Sequence, residues 1–401
     1  MDHPDNAASG QVEWLDLGPA DRRVGAGPQH PRPLRWYALA LAVAAVAGGL
    51  LAYVQHSTNA RTATPSHALA TAGGRSGAAP SADTSSSAPA VAVTALGHRL
   101  LDAPAGWELF AAGRGEVVRI EIASGRVTRT TVPPLDNGGG IAMLAGPDRV
   151  IVTPVDDGDG FEVRDGRPPR LLPITLANHG AALPGPDKDH VWVSDHTGPS
   201  VMNLVGFDGQ PTGTSIPIPD GGSVTSDSAG YLLLHATGGV YDVRPGQIHR
   251  ITTGELLAAG PTRWLTLECD AHYRCVITVI DRASGARRVL RTPAHTFRFE
   301  EEGVIAPDGS TAAYVQIGRS GRPELHLLDL STGADHLADV TFSGEFLFGG
   351  GRFVWSPDSH WLFVTGPEGR AVVLDRRTMH AANLGVTIPP DSRLALRTDT
   401  R

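Results

Sequence analysis

The sequence predicts an all-β fold, a seven-bladed β-propeller, preceded by one transmembrane helix and a disordered tether. Three observations predict it. Two turn signals alternate strictly along the C-terminal three quarters of the chain, seven times each, with a mean period of about 44 residues. Gly 48 and Pro 31 make up about a fifth of the 401 residues, a composition that disfavours a helix bundle. One uncharged apolar run, residues 36–54, stands apart from the repeats.

The composition also excludes whole classes of function. A formal net charge of -8, aromatics at only 6% and the lack of a long Lys/Arg block argue against a nucleic-acid partner. Two cysteines build neither a disulfide-dense scaffold nor a four-cysteine zinc site.

Taken in order, residues 1–35 mix acids and arginines with scattered Gly and Pro, and read as a disordered cytoplasmic tail. Residues 36–54, WYALALAVAAVAGGLLAYV, make a helix of about 28 Å, which matches a hydrocarbon core. Trp36, Tyr37 and Tyr53 mark its ends, where amphipathic rings favour the interface. Arg22, Arg23, Arg32 and Arg35 precede it closely, which places the N-terminus in the cytoplasm and the rest outside. The alternative is a cleaved signal peptide, but the preceding segment is long for one and no A-x-A site follows closely. Residues 55–95, rich in Ser, Thr, Ala, Gly and Pro, lack the apolar mass to repay chain ordering and read as a flexible linker.

Residues 96–401 carry the repeats. The first signal is a Pro-Asp or equivalent turn before an apolar strand. It runs Ala103-Pro104-Ala105-Gly106 before WELF, Gly146-Pro147-Asp148 before VIV, Gly185-Pro186-Asp187 before VWV and Ser226-Asp227-Ser228 before YLLL. Gly260-Pro261-Thr262 before WLTL, Ala306-Pro307-Asp308-Gly309 before AAYV and Ser356-Pro357-Asp358-Ser359 before WLFV complete it. The second signal is a Gly turn between the next two strands, as in Asp281-Arg282-Ala283-Ser284-Gly285 and Asp329-Leu330-Ser331-Thr332-Gly333. The last copy, Asp375-Arg376-Arg377-Thr378-Met379, lacks the glycine. About four short strands per period cannot bury their own faces, so the repeats stack around an axis. Closure is expected to join residues near Leu100 to the blade holding Trp355 and Trp361.

Val354–Val364, VWSPDSHWLFV, and Val304–Val315, VIAPDGSTAAYV, resemble the TolB-like and WD-repeat-like propellers, although the WD dipeptide is absent. The resemblance implies a propeller used mainly for binding. The Ala/Arg/Gly-rich, membrane-anchored chain also resembles actinobacterial proteins in composition.

If strands A to D run from the axis outward, the Pro-Asp turn joins A to B and the Gly turn joins C to D, on one face. The B–C and D–A loops lie on the other face, where variable loops on a rigid scaffold carry binding. They supply the candidate binding residues Asp136, Asp156, Asp159, His179, Asp195, His196, His272, Tyr273, Arg274 and Arg319, and the run Glu300-Glu301-Glu302. An ordinary solvated loop set is the plain alternative for each of them. Cys269 and Cys275 flank a five-residue hairpin loop, so a disulfide is expected outside the cell; two reduced, packed cysteines are the alternative.

No G-x-S-x-G elbow, H-E-x-x-H, P-loop or dinucleotide fingerprint occurs. The Asp/Gly-rich stretch 155–160 lacks calcium-loop spacing, so no cofactor or metal is expected. The reading is a binding or sensing module whose partner is an envelope protein or cell-wall component. The alternative is a lyase- or glycosidase-type propeller enzyme working through pore-mouth carboxylates, for which spacing singles out no pair.

Overall fold

The computed structural model describes residues 91–113, 115–135, 141–154, 159–173, 182–195, 201–219, 222–226, 230, 232–236, 238–272, 274–291, 299–318, 320–340, 351–390 and 392–398. Apart from one 3-10 turn, Pro367–Gly369, its regular elements are strands. They are β1 (Val91–Ala95), β2 (Trp107–Gly113), β3 (Glu116–Glu121), β4 (Arg126–Thr131), β5 (Ile141–Ala145), β6 (Val150–Pro154), β7 (Phe161–Val163) and β8 (Arg170–Leu171). Then come β9 (Ala182–Pro184), β10 (His190–Asp195), β11 (Val201–Gly206), β12 (Pro211–Pro217), β13 (Ser223–Ser226), β14 (Leu232–Ala236), β15 (Gly239–Arg244) and β16 (Gln247–Thr252). The chain continues through β17 (Glu255–Ala259), β18 (Arg263–Cys269), β19 (Cys275–Asp281), β20 (Arg287–Arg291), β21 (Phe299–Ile305), β22 (Thr311–Ile317), β23 (Pro323–Asp329) and β24 (Asp335–Leu337). It ends in β25 (Phe353–Trp355), β26 (Trp361–Thr365), β27 (Arg370–Asp375), β28 (His380–Thr387) and β29 (Arg393–Thr398).

Four-stranded antiparallel meanders dominate: β5–β8, β9–β12, β13–β16 and β25–β28. An eight-stranded sheet is two more, β17–β20 and β21–β24, joined by a short parallel pairing of Ala258 with Gly303 and Ala259 with Val304. The second strand of each meander is the apolar run that follows a Pro-Asp-type turn. β6 is buried throughout and β26 nearly so. A strand covered on both faces needs no polar side, so it reads as an unbroken hydrophobic run. Outer strands such as β12 and β28 are mostly exposed and carry the polar residues.

Hydrophobic clusters lie between successive sheets. Phe110 and Val117 meet Val150 and Val152; Ile151 meets Val191 and Val205; Trp192 and Met202 meet Leu232 and Leu234. Leu233 and Val240 meet Trp264 and Ile280; Leu265 and Val279 meet Ala312 and Tyr314; Val315 and Leu325 meet Leu362 and Val364. The series returns to its start, because Phe363 and Val373 pack with Leu109, Val118 and Leu394.

The first sheet departs from the sequence reading. Its order is β1-β4-β3-β2-β29. The inner strand comes from the C-terminus: β29 pairs with β2 from Trp107↔Thr398 to Ala112↔Arg393. The turn at 103–106 therefore does not join two neighbouring strands, since β1 lies at the outer edge and β2 next to β29. Leu100 does pack on the cluster that holds Trp361, but the hydrogen-bonded closure is the β2–β29 ladder. Strand β1 falls in the last five residues of the stretch read as linker. The acidic run 300–302 lies in strand β21 rather than in a loop.

Arginine reinforces the closing ladder. Arg397 of β29 donates to Glu108 of β2 (Nε–Oε2 2.6 Å), both side chains being nearly buried, and lies over the Phe110 ring. It reaches on to Asp165 of the β7–β8 turn at 3.2 Å, which ties the closing strand to the next sheet.

Turn chemistry follows the sequence. Asp281, Asp329 and Asp375 each accept backbone N–H groups two or three residues on. The glycine that follows, at 285 or 333, has φ 69° or 76°; in the copy without glycine Met379 takes φ 59°, and Ser359 takes φ 61° where the preceding repeat has Gly309. Among the described residues no helix is long and apolar enough to cross a membrane; residues 36–54 lie outside them.

Two outcomes follow. Deleting residues 393–401 strips the inner edge of β2, so the cooperative thermal transition should be lost rather than shifted; Arg397→Ala should cost about 2 kcal/mol in a urea melt, through a lost charged hydrogen bond. Asp329 is held down to about 2, first by the Ser331 hydroxyl and then by turn N–H groups. A depressed folded value means its contribution is full above the ordinary carboxylate range and is lost as pH falls toward 2. Asp329→Asn should flatten the acid limb of a stability–pH profile over that interval.

Candidate functional site

The B–C loop of the β17–β20 meander carries three of the candidates on the predicted binding face, His272, Tyr273 and Arg274. β18 and β19 stay in register from Arg263↔Asp281 up to Cys269↔Cys275, and the two cysteines form a disulfide. Below the loop, β18 is buried from Trp264 to Leu267. The loop thus stands on a rigid two-stranded base.

Asp270, the first loop residue, organises what the disulfide encloses. Its N–H donates to the Arg274 carbonyl at 3.0 Å. Its Oδ1 accepts the N–H groups of His272 (2.8 Å) and Arg274 (3.0 Å), and its Oδ2 accepts Arg274 Nε at 2.7 Å. The Arg274 N–H, then the Arg274 guanidinium, hold this carboxyl below its ordinary range. Arg274 nonetheless keeps 77% of its side chain exposed, and His272 is exposed as well. An arginine held in place yet open to solvent loses little freedom on docking to an acceptor.

The other candidates are placed as follows. Asp159 is exposed beside Gly160, which is so closely packed that an added Cβ would lie 2.7 Å from Leu172 Cδ1. Asp195 ends β10, paired with Val201. Asp136, Asp156, His179, His196, Tyr273 and Arg319 lie outside the described residues. The parallel β17–β21 pairing runs two neighbouring meanders in the same sense, so the 269–275 loop and the 318–323 turn share one face.

Two features were not read from the sequence as site residues. Asp270 is one; an Asp whose carboxylate meets N–H groups two and four residues on is an Asx-type turn, and its position just after Cys269 was the available signal. The second is the Glu368–Arg370 pair (2.8 Å) in the B–C turn of the β25–β28 meander, where Glu368 takes φ 57°.

The opposite face is engaged in holding the sheets together. Trp192 Nε1 donates to the Gly230 carbonyl (3.0 Å), Arg263 to that of Gly309 (2.8 Å) and Arg288 to that of Ser331 (3.0 Å). Arg376 pairs with Asp308 at 2.8 Å, and the Asp308 N–H donates to Ser359 Oγ at 2.9 Å. Between the β13–β16 and β17–β20 meanders, Arg282 lies 4.9 Å from the Trp264 ring centre and 3.5 Å from the buried Asp242. Burial pushes Asp242 up and Arg282 down to about 10, so the loss of water around the two groups outweighs their attraction.

No protein-family model matches the chain, and no curated protein matches it. Among solved structures it is similar to TolB from Acinetobacter baumannii, with 14% identity over 73% of this chain and 82% of that one and a TM-score of 0.41. It is similar to apo AztD from Citrobacter koseri, with 14% identity, coverages of 73% and 98% and a TM-score of 0.37. It is also similar to a functionally unknown protein from Desulfotomaculum acetoxidans, with 11% identity, coverages of 73% and 99% and a TM-score of 0.44. No ligand or activity is carried over from likenesses of this size.

Because its folded value is depressed, the Asp270 carboxylate supports the loop above the ordinary carboxylate range, and that support is lost as pH falls through the folded value. Amide exchange at His272 and Arg274, corrected for intrinsic rates, should lose protection on acidification, and Asp270→Ala should remove it at neutral pH with the disulfide intact.

Proposed function

We propose that the chain is a membrane-anchored, extracytoplasmic binding module: a closed seven-bladed propeller whose loop-rich face engages a protein or cell-wall component of the envelope. The observation that carries this reading is the Cys269–Cys275 disulfide around an otherwise exposed loop. A disulfide persists in an oxidising compartment, in keeping with a chain exported beyond an anchor at residues 36–54. It also fixes a loop that offers Arg274 and His272 to solvent, as a protein- or polymer-binding surface requires. The cyclic order of the inter-sheet clusters supports the ring, with each meander as one blade and the first completed by β29.

Location is tested in intact cells. A membrane-impermeant maleimide should label Cys269 and Cys275 only after treatment with an impermeant reductant. Labelling without reductant, or none until the cells are lysed, would sink the extracytoplasmic placement. Binding is tested by chemical cross-linking in the same cells. Tyr273→Ala with Arg274→Ala should reduce at least tenfold the yield of any envelope adduct that the unaltered protein forms.

A further inference from the structure

Each meander ends outward in a strand whose far side pairs with no described strand. Free edges invite pairing with other chains, and proteins blunt them by shortness, proline, charge or bulges. Almost every outer strand here is blunted. β8 has two residues and β24 three. β12 begins and ends with proline, holds Gly213 at φ 81° and shifts register against β11. β16 carries Arg250 and shifts register, and β20 carries Arg287, Arg288 and Arg291 with a shift of its own. β28 holds Gly385 at φ 74° and shifts register against β27.

β1 has none of these devices. Its five residues, VAVTA, are uncharged and free of proline and glycine, and they pair with β4 in unbroken register from Val91↔Thr130 to Ala95↔Arg126. Ala92–Ala95 are exposed, and Val93 is 58% exposed. Leu96 N donates to the Gly125 carbonyl at 3.1 Å, directly opposite it in the same register. The alternation of an antiparallel ladder then directs Ala92 and Thr94 toward β4, and turns the N–H and C=O groups of Val91, Val93 and Ala95 outward.

From this edge we infer that β1 is a self-pairing surface, and that its partner is a second copy of this chain. An antiparallel two-fold through Val93 sets Val93 against Val93 and Val91 against Ala95, so every outward backbone group meets its complement. The pairing brings no like charges together within β1. The nearest arginines on β4 are already neutralised, Arg126 by Glu121 and Arg129 by Glu116. Two five-stranded sheets become one ten-stranded sheet by an isologous contact, the commonest form of protein dimer. The inference is independent of the ligand face, because the B–C loops and the outer edge of β1 are different surfaces.

Disulfide trapping on the full-length chain tests the register. In a two-fold pair centred on Val93 the two Val93 Cα atoms lie about 5.5 Å apart, within bonding range for cysteine. The two Ala92 Cα atoms lie beyond about 7 Å. Under mild oxidation Val93→Cys should give a covalent dimer on a non-reducing gel, and Ala92→Cys should stay monomeric. Val93→Pro removes an N–H that the β1–β4 ladder does not use, and Val93→Lys places like charges opposite each other. In sedimentation velocity of the purified full-length chain both variants should run as monomer where the unaltered protein runs as dimer, with the thermal midpoint unchanged. A monomeric unaltered protein, equal trapping at positions 92 and 93, or a dimer that persists in both Val93→Pro and Val93→Lys would overturn the inference.

Discussion

The β2–β29 ladder is the constraint on which the rest depends. Each four-stranded meander leaves two apolar faces that it cannot cover itself, and every inter-sheet cluster borrows side chains from the next sheet. Here the first and last members of the series also cover each other. That is done by the C-terminal strand, which completes the first sheet and brings Leu394 into the cluster shared with Phe363. Arg397 adds a nearly buried charge pair, which is costly to break from one side and therefore holds the register of this ladder.

The turns on one face do related work. Repeated Asp carboxylates cap their own turn N–H groups, and the carbonyls of those turns accept arginines from neighbouring sheets. This face is thereby bonded from sheet to sheet. The positive φ required in these turns is met by glycine in most copies and by Met379 and Ser359 in the last meander. Fixed hydrogen bonds there outweigh the local preference for glycine.

The loop between β18 and β19 shows how a stiff scaffold yields a presentable surface. Two strands in register bring the sulfurs together, the disulfide closes the base, and one carboxylate orders the N–H groups inside. The resulting arginine is positioned by Asp270 and still faces water. Low conformational freedom combined with exposure is what a binding loop needs.

Much of this was readable in the residues. The period, the two turn signals and the buried second strands come from local chemistry: glycine and aspartate where the backbone must turn, and unbroken apolar runs where a strand is covered on both sides. The Cys269–Cys275 pair was readable for the same reason, since five residues are a hairpin loop. The destinations of β1 and β29 were not readable. Val91–Ala95 resembles a linker in composition, and Arg393–Thr398 lies nearly three hundred residues from the strand it completes. Pairing between segments so far apart leaves no local mark, and β21 extends through three glutamates because its neighbours, not its composition, make it a strand. Local turns and periods belong to the sequence by itself; which edge each terminal strand joins was decided only when the sheets met, because apolar faces must be covered and backbone groups paired at the same time.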